Sequence, residues 1–157
     1  MDAFLQLADQ MVIYKLRSSW FQISKLYNEI AVEHETSVSM AFVLLAINEE
    51  EGTPVTKIAP RMGMEPNSLS RILKSMEQDG FILRKRDDAD KRMSYVCLTE
   101  KGKQKREVAL KAVFRLEKAI VNQLDEKKLA AFFEVASHIP DAIEEFKDKM
   151  ATYGNTQ

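Results

Sequence analysis

Apolar side chains recur at helical spacing along both ends of the chain. Over residues 10–34 they return every three or four positions, which predicts one long amphipathic helix; the stripe consists of Val12, Leu16, Trp20, Ile23, Tyr27 and Ile30. A second helix is predicted from the cap residue Thr99 to about residue 122, and a third after Asp125. Pro140 should kink or split this last helix.

The centre of the chain carries shorter elements, which glycine and proline separate. Ser39 is the predicted N-cap of a largely buried helix over residues 40–50. Thr53 and Pro54 then predict the cap and first residue of a short helix that stops near Gly63. Two helices separated by a tight glycine turn are expected here, because a further helix starts directly afterwards.

That further helix is followed by a predicted hairpin. Glu65 and Pro66 open the helix, and Gly80 is placed to close it in the left-handed conformation. Residues 81–86 and 93–98 alternate as two strands around a charged turn. Two helices joined by a glycine turn and followed by a two-stranded wing indicate a winged helix-turn-helix, within a mainly α (α+β) chain.

The distribution of charge indicates a polyanionic partner for this central region. The whole chain has a formal net charge of −1, but residues 57–106 hold 13 basic and 7 acidic side chains, a local net of +6. The second helix of a helix-turn-helix enters the major groove, and its predicted DNA contacts are Pro66, Asn67, Ser68, Ser70, Arg71 and Lys74. A solvated charged face is the alternative explanation.

Cations also gather around the predicted hairpin. Three occupy residues 84–86, and Lys91 and Arg92 follow the turn. An arginine on a narrow hairpin tip can enter the minor groove, and Asp90 is spaced to orient the guanidinium of Arg92. We therefore add Arg86, Lys91 and Arg92 to the predicted DNA contacts, with Asp90 as the orienting residue. The alternative is a hairpin whose charges only keep its edge from pairing.

These motifs together resemble the MarR family of bacterial transcription regulators. The resemblance rests on Ser68-Leu69-Ser70-Arg71, Met76-Glu77-Gln78-Asp79-Gly80-Phe81-Ile82, Asp90-Lys91-Arg92 and Leu98-Thr99-Glu100-Lys101-Gly102. With the flanking helices it extends over nearly the whole chain. It implies one MarR-like domain over residues 1–157, with dimerisation helices at 1–36 and 123–150, a DNA-binding region at 39–102 and a connecting helix at 100–122.

The resemblance also implies how the chain works. It suggests that Arg71 approaches the DNA backbone, that Arg92 enters the minor groove, and that a small, frequently aromatic ligand binds between the dimer helices and the winged region. The predicted lining of that ligand site is Trp20, Tyr27, His34 and Phe42, with ordinary core packing as the alternative. The terminal helices support a dimer independently, because they carry more apolar surface than one small domain can cover.

We therefore expect a sequence-specific DNA-binding regulator, by default a repressor, that binds a palindromic operator as a homodimer and is released by a small aromatic or amphipathic effector. The alternative is a winged helix used only for protein–protein contact. No catalytic motif is present, and no cofactor is expected. Cys97 and two distant histidines make a zinc site very unlikely, and whether Cys97 is redox-active stays open. We expect no membrane association and a cytoplasmic location.

Overall fold

The computed structural model describes residues 3–86 and 94–154, and within them it is mainly helical with a small antiparallel sheet, as predicted. The elements are α1 (Ala3–Ala8), α2 (Val12–Glu33), α3 (Val38–Ala46), β1 (Thr53–Pro54), α4 (Val55–Met62), α5 (Pro66–Gln78), β2 (Ile82–Arg86), β3 (Ser94–Leu98), α6 (Glu100–Val121) and α7 (Glu126–Gly154). The chain divides into two compact units, Met1–Val113 and Phe114–Gln157.

The core of the first unit lies between α3, α4, α5 and the sheet. In α5 the buried side chains are Leu69, Leu73 and Met76, whose spacing of four and then three residues places them on one face of the helix. They pack with buried apolar residues from the other elements, among them Val43, Leu44, Ile47, Ile58, Phe81 and Val96. Burial of each large side chain of this kind contributes about 1.5–3 kcal/mol, so this core fixes the position of α5.

Both α4 and α5 end in a left-handed glycine. At Gly63 the φ angle is +58°, and at Gly80 it is +72°, a conformation that costs other residues more because of their Cβ atoms. Beyond α5, the Gly80 amide donates to the carbonyl of Glu77, and the Phe81 amide donates to that of Met76. These two bonds form a Schellman cap, and the prediction for Gly80 is confirmed.

The start and end of α3 differ from the prediction. Ser37, and not Ser39, is the N-cap, and its hydroxyl accepts a hydrogen bond of 3.2 Å from the Met40 amide. The helix stops at Ala46 instead of reaching residue 50. The reason is that the Asn48 side chain accepts hydrogen bonds from the backbone amides of Glu50 and Glu51, each at 2.9 Å. Such local side-chain bonds compete with the helix for backbone partners.

The prediction for Thr53 and Pro54 is also wrong, since both residues form a short strand. β1 pairs with β3, with Thr53 opposite Val96, so the sheet has three strands in the order β1-β3-β2. A two-residue edge strand that contains proline has no alternating pattern to reveal it. The preceding Gly52 is required by close packing, because a Cβ atom there would lie 2.6 Å from the Sγ atom of Cys97.

The hairpin strands and the caps of the long helices follow the prediction more closely. β2 pairs with β3 from Ile82–Leu98 to Arg86–Ser94. Thr99 caps α6 by accepting from the Gly102 amide at 3.0 Å, and Asp125 caps α7 by accepting from the Lys128 amide at 2.8 Å.

Of the kink or split that the sequence predicts at Pro140, the split is wrong, because α7 runs through Pro140 without a break. A proline inside a helix removes one backbone hydrogen bond, and the remaining bonds of this 29-residue helix keep it continuous. In the described part of the chain, no helix combines the length and the apolar character needed to cross a membrane.

Candidate nucleic-acid interface

The outward face of α5 carries the side chains that the sequence predicted as DNA contacts. The buried stripe faces the core, and all six predicted side chains of this helix are exposed: Pro66, Asn67, Ser68, Ser70, Arg71 and Lys74. Asn67, Arg71 and Lys74 are spaced four and three residues apart, so they form one row opposite the buried stripe. The structure therefore brings these side chains onto one accessible face.

The start of α5 combines a proline with short polar side chains. Pro66 is the first helical residue, where the absence of an N–H group costs nothing, and Glu65 precedes it without a side-chain capping bond. The Ser70 hydroxyl donates to the Pro66 carbonyl at 3.1 Å. Its oxygen retains lone pairs that can accept from a base or a backbone donor. Asn67 and Ser68 keep the first turn narrow enough to approach base edges closely.

Many cations of the basic region have partners within the protein. Arg84 pairs with Glu77, and Arg106 with Glu49, each at 3.1 Å. Other cations donate to backbone carbonyls: Arg61 to Ala46, Lys101 to Asp79 and Lys105 to His34. These contacts link neighbouring elements, and the cations that make them already have partners within the protein.

The cations on the predicted DNA face differ from those. Within residues 3–86 and 94–154, the side chains of Arg71, Lys74 and Arg86 make no ion pair, and all three are exposed. Phosphate contacts need cations that are not already neutralised. Among the described residues, the cations that make no ion pair thus include Arg71, Lys74 and Arg86, all of which the sequence assigned to DNA.

The predicted wing contacts are only partly within the described structure. Arg86 ends β2, opposite Ser94 of β3. Asp90, Lys91 and Arg92 lie outside the described residues, so their assignment stays a prediction.

Three of the four residues predicted to line a ligand site surround one apolar cavity in the first unit. Tyr27, His34 and Phe42 line it together with residues from α6, including Lys105 and Ala109. Its volume is about 40 Å³, well below the roughly 300–1,000 Å³ of typical ligand pockets. A ligand the size of an aromatic ring would therefore need the cavity to open.

Trp20 does not line this cavity. Its ring lies 6.1 Å from that of Phe42, but it borders a separate groove with Arg61, Met62 and Met64. The sequence gave no means of finding Lys105, because it lies 60 or more residues from the lining residues of α2 and α3 and no spacing pattern marks it. It brings a cation to an otherwise largely apolar wall.

Comparison with known proteins identifies the region that carries this interface. The family model described as "MarR family" matches residues 37–94, which include α3, α4, α5 and β2. Through this segment, the chain is similar to the MarR family. The family segment contains all the residues of α5 that form the exposed polar face, and the predicted fold is confirmed by solved structures.

Curated relatives of this MarR segment are similar over only part of their length. The chain is 30% identical over 98 residues to the HTH-type transcriptional regulator TtmR of Methylorubrum extorquens (strain PA1), an alignment that covers 62% of this chain and 50% of TtmR. The chain spans about half the length of the curated relatives it matches.

Solved structures share the MarR fold over most of the chain. A complex of S. aureus MepR with DNA superposes with a TM-score of 0.77 at 17% identity, covering 84% of this chain and 98% of MepR. CouR from Rhodococcus jostii RHA1, bound to p-coumaroyl-CoA, gives a TM-score of 0.75 at 19% identity, covering 84% of this chain and 93% of CouR. At such low identity, these similarities establish the fold alone.

Proposed function

We propose that the protein is a transcriptional regulator that binds duplex DNA through α5 and the wing. The observation that carries this proposal is the exposed face of α5, on which polar side chains lie opposite a fully buried stripe, together with Arg71 and Lys74, which make no ion pair among the described residues. A helix-turn-helix presents such a face to the major groove. The similarity to TtmR, an HTH-type transcriptional regulator, and to MepR in its complex with DNA supports the same function.

In the proposed complex, each group has a separate task. Pro66 lets the helix start close to the DNA, and Asn67, Ser68 and Ser70 contact base edges or nearby phosphates. Arg71 and Lys74 neutralise phosphates, as does Arg86 at the end of β2. Lys91 and Arg92 follow the wing into the minor groove, with Asp90 orienting Arg92.

The proposed active form is a homodimer held together by the terminal helices. Large apolar side chains are exposed on α2, including Ile13 at 71% and Phe21 at 68%, and on α7, including Phe133 at 61% and Phe146 at 63%. Exposed apolar surface of this kind on each helix indicates an interaction site. A two-fold dimer would cover it, and its paired recognition helices would select a palindromic operator. Occupation of such a site at a promoter makes repression the expected outcome.

We also propose a small amphipathic effector for the cavity between α2, α3 and α6. Tyr27 and Phe42 pack edge to face in its wall, with ring centroids 6.1 Å apart, and Lys105 supplies a cation beside them. The bound p-coumaroyl-CoA of CouR supports a ligand of this general kind. Trp20, which borders the neighbouring groove, contributes only if the two spaces join.

A salt titration of DNA binding tests the function against the protein–protein alternative. If the dimer neutralises roughly eight phosphates, the logarithm of its affinity for duplex DNA falls with the logarithm of salt concentration at a slope of about −7. Fluorescence anisotropy with a labelled random duplex measures this slope. A protein that shows no binding at low salt, or a flat salt response, would support the protein–protein module instead.

A further inference from the structure

Among the three consecutive cations of β2, Arg84 differs from its neighbours. Its Nε atom lies 3.1 Å from Oε2 of Glu77, and the two side chains are 37% and 34% exposed. Within the described residues, the ion pairs include none made by Lys85 or Arg86. Arg84 therefore faces the recognition helix, whereas Lys85 and Arg86 remain available to other partners.

The Glu77–Arg84 pair spans the connection between α5 and β2. Glu77 lies in the last turn of α5, and the chain turns at Gly80 before it enters the strand. The turn itself is held by a different bond, since the Thr99 hydroxyl donates to the Gly80 carbonyl at 2.6 Å. The ion pair adds a second link further from the turn, between the side of the helix and the strand that leads to the wing.

The charge of Glu77 is unfavourable for a direct role in DNA binding. A carboxylate on a DNA-reading helix repels phosphates, and together with Arg84 it contributes no net charge to the interface. The pair therefore has a geometric use and no electrostatic one. We infer that Glu77 and Arg84 are positioning residues that set the angle between the recognition helix and the wing, an inference that rests on the proposed DNA-binding function.

The direction in which one substitution changes DNA affinity distinguishes a positioning role from an electrostatic one. Glu77→Gln removes a negative charge and nearly preserves shape, so electrostatics alone predicts tighter DNA binding. Positioning predicts the opposite: binding weakens by roughly two- to tenfold, because a dimer loses two ion pairs of modest strength. The salt slope should stay that of the parent, since no phosphate contact is lost.

Glu65→Gln is the matched control. Glu65 is an exposed carboxylate at the N-cap position of α5 and makes no side-chain capping bond, so its replacement should strengthen binding slightly. Arg84→Gln and Lys85→Gln form a second matched pair, in which both variants lose one cation from the same strand. In a double-mutant cycle, Glu77→Gln combined with Arg84→Gln should bind no more weakly than the poorer single variant.

The experiment is an anisotropy titration of full-length variants on the same duplex, at three salt concentrations. Weaker binding by Glu77→Gln, together with non-additivity in the cycle, supports the inference. If Glu77→Gln strengthens binding as Glu65→Gln does, or if the two losses simply add, the inference is overturned and the proposed function stands. If the parent binds no duplex, the proposed function fails, and the positioning role fails with it.

Discussion

The proposed recognition helix α5 and the terminal helix α7 differ in how far their apolar side chains are buried. α5 has 13 residues and buries Leu69, Leu73 and Met76 within its own chain. α7 has 29 residues, and among its described side chains none is buried. Phe132 and Phe133 contact each other with ring centroids 5.6 Å apart, yet both remain more than half exposed.

This difference indicates where each helix finds its stability. A helix of globular proteins gains most of its stability from packing of an apolar face, and α5 has that packing within one chain. For α7 the same packing has to come from outside the single chain, which is the role we propose for a second copy. The DNA-reading face and the dimerisation face should therefore respond independently to substitution.

The largest expected effect is the loss of the dimer. Phe132→Glu combined with Phe146→Glu places two charges on one apolar face of α7, because the two positions are 14 residues apart in a continuous helix, and burial of unpaired charges costs several kcal/mol. The mass measured by sedimentation at micromolar concentration should fall from twice 18.0 kDa to that of a single chain. DNA affinity should fall steeply as well. Lys127→Glu combined with Lys149→Glu is the control and should stay dimeric. A charged variant that remains dimeric would refute the assignment of this face.

A core substitution in α5 should have the next largest effect, this time on folding. Leu73 is fully buried, so Leu73→Ala should lower the free energy of unfolding by about 2–5 kcal/mol through lost contacts and a cavity. Ser70→Ala, one turn away on the exposed face, should change it by less than about 0.5 kcal/mol. Urea denaturation measures both. Equal effects would mean that α5 does not pack as described.

Much of the fold could be predicted because its signals are local. Thr99, Asp125 and Gly80 each mark a helix end by chemistry that acts within one turn, and the structure confirms all three. The apolar spacing of α5 likewise determined which of its side chains remain exposed. The predicted polar face followed from that spacing without any knowledge of tertiary contacts.

The features that the sequence did not reveal depend on contacts between distant segments. Thr53 becomes a strand only because β3 lies beside it. Ser37 and Ser39 are equivalent as local caps, and the Asn48 turn that ends α3 includes a bond from the Asn48 amide to Thr53 Oγ1, at 2.8 Å. Lys105 reaches the cavity wall across 71 residues of sequence through its bond to the His34 carbonyl.

A smaller effect, confined to DNA binding, is expected at the predicted wing tip. Arg92→Ala should weaken operator binding by about 1–3 kcal/mol. The reason is that alanine, like lysine, lacks the planar guanidinium that suits a narrow minor groove. The melting temperature and the dimer should be unchanged. Arg92→Lys should restore only part of the loss, and Asp90→Ala should cost less than Arg92→Ala. Parent-like binding by Arg92→Ala would remove the wing from the interface.

Selection of binding sites from a random duplex library by the full-length protein tests the central claim most directly. Two recognition helices held by one dimer should enrich a palindrome whose half-sites lie about one helical turn apart, with two chains bound per duplex. Insertion of half a turn between the half-sites should abolish tight binding. Enrichment of a single half-site with one chain per duplex, or of no sequence at all, would contradict the account.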